Sequence, residues 1–131
     1  MVYIGRGAGM APLRSHLSYL FDTEKNKGKV SFWYGAHSAD DIYYTGYFKK
    51  LEAENDNFTL HSAVSHVREH DNWNGNVGYI HEVVLAQYLS AHKNPREIDY
   101  YLCGPPAMIK ATLNMLKNLG VDEKMISFDE F

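Results

Sequence analysis

The stretch Ile98-Asp-Tyr-Tyr-Leu-Cys103-Gly104-Pro105-Pro106 decides how the rest of the chain is read. Its first half is rich in β-formers and runs as a strand. Gly104 then permits a sharp bend and the close approach of another molecule, and the two prolines preset φ for a following helix. Cys103 is the only cysteine among 131 residues. It is thereby held at the carboxyl end of a strand, where open α/β sheets bind their ligands.

Upstream of this stretch, strand and helix signals alternate. Met1–Ile4 reads as a strand, followed by a glycine-rich turn and by Pro12 at a first helical position. Leu13, Leu17, Leu20 and Phe21 recur at helical spacing. Lys29–Tyr34 is a second strand closed by Gly35. Tyr44, Tyr47, Phe48 and Leu51 line a second helix, and the aromatic stripe at 43–48 is core rather than a cofactor box. Phe58–Val64 is a third strand. A polar loop, Ser65 to Gly78, then leads to a helix with Ile80, Val83, Val84 and Leu85 on its apolar side. Downstream, Ile109, Thr112, Leu113, Leu116 and Leu119 mark a fourth helix stopped by Gly120, and Met125–Phe128 is a fifth strand.

This alternation predicts an α/β fold: a five-stranded parallel sheet of order 3-2-1-4-5 with helices on both faces and right-handed crossovers. The chain reverses between the first and fourth strands, so Gly5–Pro12 and Cys103–Pro106 face each other across one crevice.

Composition narrows the classes. With 45% hydrophobic and 22% charged residues the chain is one packed domain. A net charge of −3 supplies no basic field for nucleic acid. A lone cysteine forms no internal disulfide, suits a reducing compartment and cannot ligate an iron–sulfur centre. No apolar run approaches the roughly 20 residues that span a bilayer, and no signal peptide is visible. Both ends read as strand, which suggests a domain excised from a longer protein. His66, His70 and Asp71 share a polar loop, better read as solvated than as a metal site.

The first turn is Gly5-Arg6-Gly7-Ala8-Gly9-Met10-Ala11-Pro12. Glycines between a strand and a helix let backbone N–H groups approach a pyrophosphate. The common dinucleotide fingerprint G-x-G-x-x-G fails, because Met10 stands at its third position. The ribose-binding acid expected near the end of the second strand is missing too, replaced by Tyr34-Gly35-Ala36. The bland alternatives are a tight turn without a ligand and, for Cys103, an inert buried residue; the placement of both favours function.

Taken together, the motifs resemble the ferredoxin reductase family. Gly7-Ala8-Gly9-Met10-Ala11-Pro12 resembles its G-T-G-x-x-P loop, and Cys103-Gly104-Pro105-Pro106 its C-G-P motif. Trp73-x-Gly75-x-x-Gly78-x-Ile80 is similar to the segment before the third helix of oxygenase reductases. Within that family, Gly7 to His16, Phe32–Ala36, Ala53–Phe58, Asp71–Trp73 and Tyr100–Pro106 look like the F subunits of bacterial sodium-translocating NADH:quinone oxidoreductases. Two departures stand out: Arg6 where that family often has glycine, and Ala8 where plant-type relatives have threonine.

The resemblance implies an enzyme domain that binds NADH, which gives a hydride to FAD. Electrons then pass to a 2Fe–2S centre and on to quinone. It implies upstream FAD and ferredoxin-like domains, other subunits of a membrane respiratory complex, and a place at the cytoplasmic face of the bacterial inner membrane. The fragment alone is expected to be inactive. Gly5, Gly7, Ala8, Gly9, Met10 and Pro12 would meet the pyrophosphate, and Tyr34, Gly35, Ala36 and Ser38 the adenosine half. Cys103, Gly104, Pro105, Pro106 and Met108 would meet the rest, with the Cys103 thiol placing the nicotinamide carbon rather than attacking it.

Phe131 reads from the residues alone as strand packing. The resemblance makes it the aromatic that covers the flavin ring. Asp129 either hydrogen-bonds near Cys103 or is a solvated edge charge. No Arg or Lys follows the second strand closely, where Asp40 and Asp41 stand instead, which favours NADH over NADPH. Two other readings remain: the reductase component of a bacterial ring oxygenase, and a regulatory module that senses NADH without turnover. Cys103 and Phe131 argue against a sensor, which needs no hydride geometry.

Overall fold

The computed structural model describes residues 1–6, 11–23, 28–38, 45–67, 73 and 75–130. Gly7, Ala8, Gly9, Met10, Asp40, Asp41, Tyr44, His70, Asp71 and Phe131 therefore lie outside the described residues.

Six parallel strands form one sheet in the order β4-β3-β2-β1-β5-β6. They are β1 (Val2–Arg6), β2 (Val30–Ala36), β3 (Phe58–Val64), β4 (Asn76–Val77), β5 (Tyr100–Gly104) and β6 (Ile126–Glu130). Four helices connect them: α1 (Ala11–Ser18), prolonged by a π-helical turn at Tyr19–Thr23, α2 (Thr45–Glu54), α3 (Ile80–Gln87) and α4 (Pro106–Asn118).

The five expected strands stand in the expected order. The sixth, β4, is a correction to the count. It pairs with β3 only at Ala63↔Asn76 and Val64↔Val77. Side chains, not an apolar run, hold it. The Trp73 indole N–H donates to the Asn76 carbonyl at 2.8 Å, and the Asn76 amide donates to the Ser62 carbonyl at 3.3 Å.

Strand alternation divides the interior into two cores. Tyr3, Phe32, Tyr34 and Cys103 join Leu13, Leu17, Phe48 and Leu51 on the α1–α2 side. Val2, Ile4, Trp33, Tyr100 and Leu102 join Ile80, Val84, Ile109 and Leu116 on the α3–α4 side. Helices thus cover both faces. The best-formed helix end is that of α4. The Val121 N–H donates to the Leu116 carbonyl at 3.0 Å and the Gly120 N–H to the Lys117 carbonyl at 2.9 Å, with Gly120 at φ +82°. Pro12 is the second residue of α1 rather than the first, and Pro106 opens α4.

Candidate functional site at the strand-order reversal

The sheet order reverses between β1 and β5, whose carboxyl ends lie side by side with Gly5 opposite Cys103. Next to them, Gly5 also pairs with Tyr34 of β2, and Cys103 with Asp129 of β6. One register line therefore joins Tyr34, Gly5, Cys103 and Asp129.

On the α3–α4 side of this line lies a cleft of about 260 Å³, with Arg6, Ala36, Ser65, Tyr79, Glu82 and Met108 among its walls. Two close approaches build it. A Cβ on Gly35 would stand 2.7 Å from Ile80 Cβ, so the start of α3 rests directly on β2. A Cβ on Gly104 would stand 2.7 Å from Met108 Cε. Gly104 remains in β5, paired with Glu130, and Met108 of the following helix packs against it. Gly78, at φ +134°, turns the chain from β4 into α3, and its N–H donates to the Val64 carbonyl at 2.9 Å.

Among the described residues no carboxylate pairs with Arg6, so a half-buried guanidinium stands ready for an anion at the end of β1. The remaining wall is small or apolar apart from Ser65, Tyr79, His81 and Glu82. A concave apolar site with a few convergent polar groups is the usual build of a cofactor pocket. A cationic end and an apolar middle fit a dinucleotide.

The other side of the register line is different. Cys103 is fully buried in the α1–α2 core. Burial, and then the negative charge of Asp129, pushes its thiol up to about 11. Such a thiol is neutral at pH 7 and does not act as a nucleophile. Asp129 itself is exposed. It lines a second cleft of about 240 Å³ with Leu13, His16, Tyr101 and Phe128. There the Tyr3 hydroxyl and His16 Nδ1 are 3.1 Å apart, and Tyr3 stacks on Tyr101 at 4.7 Å.

Of the expected nucleotide contacts, Gly35, Ala36 and Met108 line the first cleft. Tyr34 does not: alternation along β2 sends it into the opposite core, where it is fully buried. Gly35 takes part through its contact with Ile80. Ser38 follows β2 outside the cleft wall, while Pro105 and Pro106 form the start of α4. Ser65, Tyr79 and Glu82 are wall residues that no motif points to directly. The Trp73–Ile80 segment marks their neighbourhood, but an acid in a first helical turn is ordinary and gives no signal. Among the described residues no group of three or more His, Cys, Asp or Glu is placed to hold a metal ion, and no helix is long and apolar enough to cross a membrane.

A doubly wound parallel sheet with its cleft at the point of strand reversal defines a nucleotide-binding domain of the ferredoxin reductase type. The chain belongs to the oxidoreductase NAD-binding domain family, which it matches over residues 3–114. It is 50% identical over 131 residues to the F subunit of the Na(+)-translocating NADH-quinone reductase of Actinobacillus pleuropneumoniae. To the corresponding F subunit of Serratia proteamaculans it is 47% identical. In both comparisons 100% of this chain aligns with 32% of the relative, so the chain spans about a third of the length of these curated relatives.

Among solved structures it is similar to the ferredoxin reductase in carbazole 1,9a-dioxygenase, with 30% identity and a TM-score of 0.77 over 99% of this chain and 37% of that one. It also resembles the Amycolatopsis cytochrome P450 reductase GcoB, with 25% identity and a TM-score of 0.82 over 100% of this chain and 37% of that one.

Proposed function

We propose that this chain is the NADH-binding domain of a sodium-translocating NADH:quinone oxidoreductase F subunit. The observation that carries the reading is the cleft at the β1–β5 reversal, in a chain 47% to 50% identical over its whole length to such subunits. When bound, NADH supplies a hydride, for which an FAD in an upstream domain is the acceptor.

This chain's own residues bind and orient. Arg6 and the backbone of the glycine-rich turn hold the pyrophosphate. Ala36, Tyr79 and Met108 flank the adenosine half. The β1–β5 edge around Cys103 sets the position of the nicotinamide, with the neutral sulfur as a packing and polarising neighbour. Asp129, which lines the second cleft, would serve the hydride exchange, and Phe131 would cover the flavin ring. A single cysteine cannot hold a 2Fe–2S centre, so that centre belongs to another upstream domain. The assembled subunit would work with the other subunits of the respiratory complex at the cytoplasmic face of the bacterial inner membrane, reducing quinone.

The 30% identity to a dioxygenase ferredoxin reductase supports a second reading, the reductase component of a ring oxygenase. Native upstream sequence carrying a transmembrane helix and a ferredoxin-like domain favours the first reading. The test of function uses both lengths of protein. The isolated chain should bind NADH without reducing ferricyanide, and the full-length subunit with FAD should do both. NADH-dependent ferricyanide reduction by the flavin-free chain would contradict the proposal.

A further inference from the structure

The cleft wall carries a side chain of each charge: Arg6 at the close of β1 and Glu82 in the first turn of α3. Apart from His81, the described wall residues include no other ionisable acid or base except the Tyr79 hydroxyl. Open α/β sheets that bind dinucleotides without a 2′-phosphate commonly hold the adenosine ribose with an acid at the end of the second strand. In this chain that strand ends in Gly35 and Ala36, and the position has no acid.

The missing side chain at Gly35 has a second effect. Because a Cβ there would stand 2.7 Å from Ile80 Cβ, the first turn of α3 can seat directly on β2 only while residue 35 is glycine. Ile80 is buried at 3% exposure, and Glu82 follows it by two residues. The Glu82 backbone is fixed by its N–H donating to the Tyr79 carbonyl at 3.0 Å, while its side chain stays 65% exposed at the cleft rim. Among the described residues its one ion-pair neighbour within 4.0 Å is the His81 imidazole, whose Nε2 is 4.0 Å from Oε1. That contact is too long for a hydrogen bond and leaves the carboxylate able to accept from a ligand.

We propose that Glu82 is the selectivity residue of the cleft. It accepts hydrogen bonds from the adenosine ribose hydroxyls and repels a 2′-phosphate. The inference rests on the nucleotide-binding reading and sharpens it. Phosphate toward Arg6 and hydroxyls toward Glu82 is the orientation that one cation and one anion on the wall favour. Preference for NADH then comes from a placed negative charge, beyond the lack of a cation after β2.

The experiment is calorimetric titration of the 131-residue chain and its variants with ADP-ribose and with 2′-phospho-ADP-ribose. The wild-type chain should bind ADP-ribose at least about tenfold more tightly, a difference of about 1.4 kcal/mol. Glu82→Gln keeps the size of the side chain and removes its charge. It should cut the ratio to about threefold or less, chiefly by improving the 2′-phosphorylated ligand. Glu82→Lys should reverse the preference. Thermal midpoints of the variants, and a Lys117→Gln control in the separate α4–β6 groove that leaves the ratio high, separate selectivity from a fold defect. A ratio unchanged in both Glu82 variants overturns the role of Glu82 while leaving the nucleotide site standing. Failure of the wild-type chain to bind either ligand overturns the nucleotide site and this proposal with it.

Discussion

The side chain of Ile80 packs directly onto Gly35. The room at Gly35 is so small that a single added methyl would fall 2.7 Å from Ile80 Cβ. This contact between β2 and α3 sets the height of the α3 wall of the nucleotide cleft. Gly35→Ala should therefore destabilise the chain by about 1–3 kcal/mol, as overpacking in a filled core does. It should also weaken NADH binding. Ile80→Ala keeps a Cβ at position 80, so the double variant should not recover. Urea unfolding of the single and double variants checks this, and recovery in the double variant would show that the outer part of Ile80, not its Cβ, fixes the helix.

Gly120 has the opposite profile. Its φ of +82° closes α4, and a Cβ there would stand 3.0 Å from Arg96 Nε. Gly120→Ala should cost about 1–2 kcal/mol of stability from the left-handed backbone. NADH affinity should not change, because the position is far along α4 from the cleft. Gly120→Asn should lose less than Gly120→Ala. Denaturation midpoints together with NADH titration distinguish this from a site effect.

Alkaline pH should unfold the protein through its buried acids. The Cys103 thiol rises from an ordinary 9.0 to about 11, mainly by burial and secondly through Asp129. The folded state thus holds the proton more tightly than the unfolded state. The associated stability is complete below about pH 9 and is lost as pH climbs towards 11. Tyr3, Tyr100 and Tyr101, all raised chiefly by burial, extend the loss at higher pH. Urea midpoints should be flat from about pH 7 to 8.5 and then fall, and Cys103→Ala should flatten the first part of that fall. At about pH 8, iodoacetamide should label Cys103 far more slowly in the native than in the urea-unfolded chain.

Much of this architecture is legible in the sequence. Leu13–Phe21, Phe48–Leu51, Ile80–Val84 and Ile109–Leu119 carry helical periodicity. Glycines close β1, β2 and β5, and runs of β-formers mark β3 and β6; their order follows once the sheet is taken to start in its middle and reverse once. Strand β4 is not legible, because two residues tethered by Trp73 and Asn76 leave no periodic trace.

The site is legible in part. Glycine and C-G-P motifs locate the edge of the sheet where β1 meets β5. They do not show that Tyr34 points into the α1–α2 core or that Gly35 serves Ile80. Glu82 has no signature at all, since only the folded contact at Gly35 brings the first turn of α3 to the cleft.

In the full-length protein, Cys103→Ala should slow hydride transfer far more than it weakens NADH binding. Displacement of the reacting carbon by about 1 Å can cost on the order of a hundredfold in rate. Affinity comes from the cleft that Arg6 and Met108 line, which the substitution leaves intact. Stopped-flow flavin reduction separates the two quantities, and an unchanged limiting rate would reduce Cys103 to core packing. Phe131→Ala should tighten nicotinamide binding and slow product release, and no change in either would make the terminal aromatic a packing residue only.

The NADH site itself is open to an NMR titration of the isotope-labelled 131-residue chain with NADH. Amide shifts should change at Arg6, Ala36, Ser65, Tyr79, Glu82 and Met108, which line the cleft at the β1–β5 reversal. Signals of Leu113, Lys117 and Glu123, on the far α4–β6 groove, should stay where they are. Shifts confined to that groove, or no shifts at millimolar NADH, would contradict the assignment of the cleft as the NADH site.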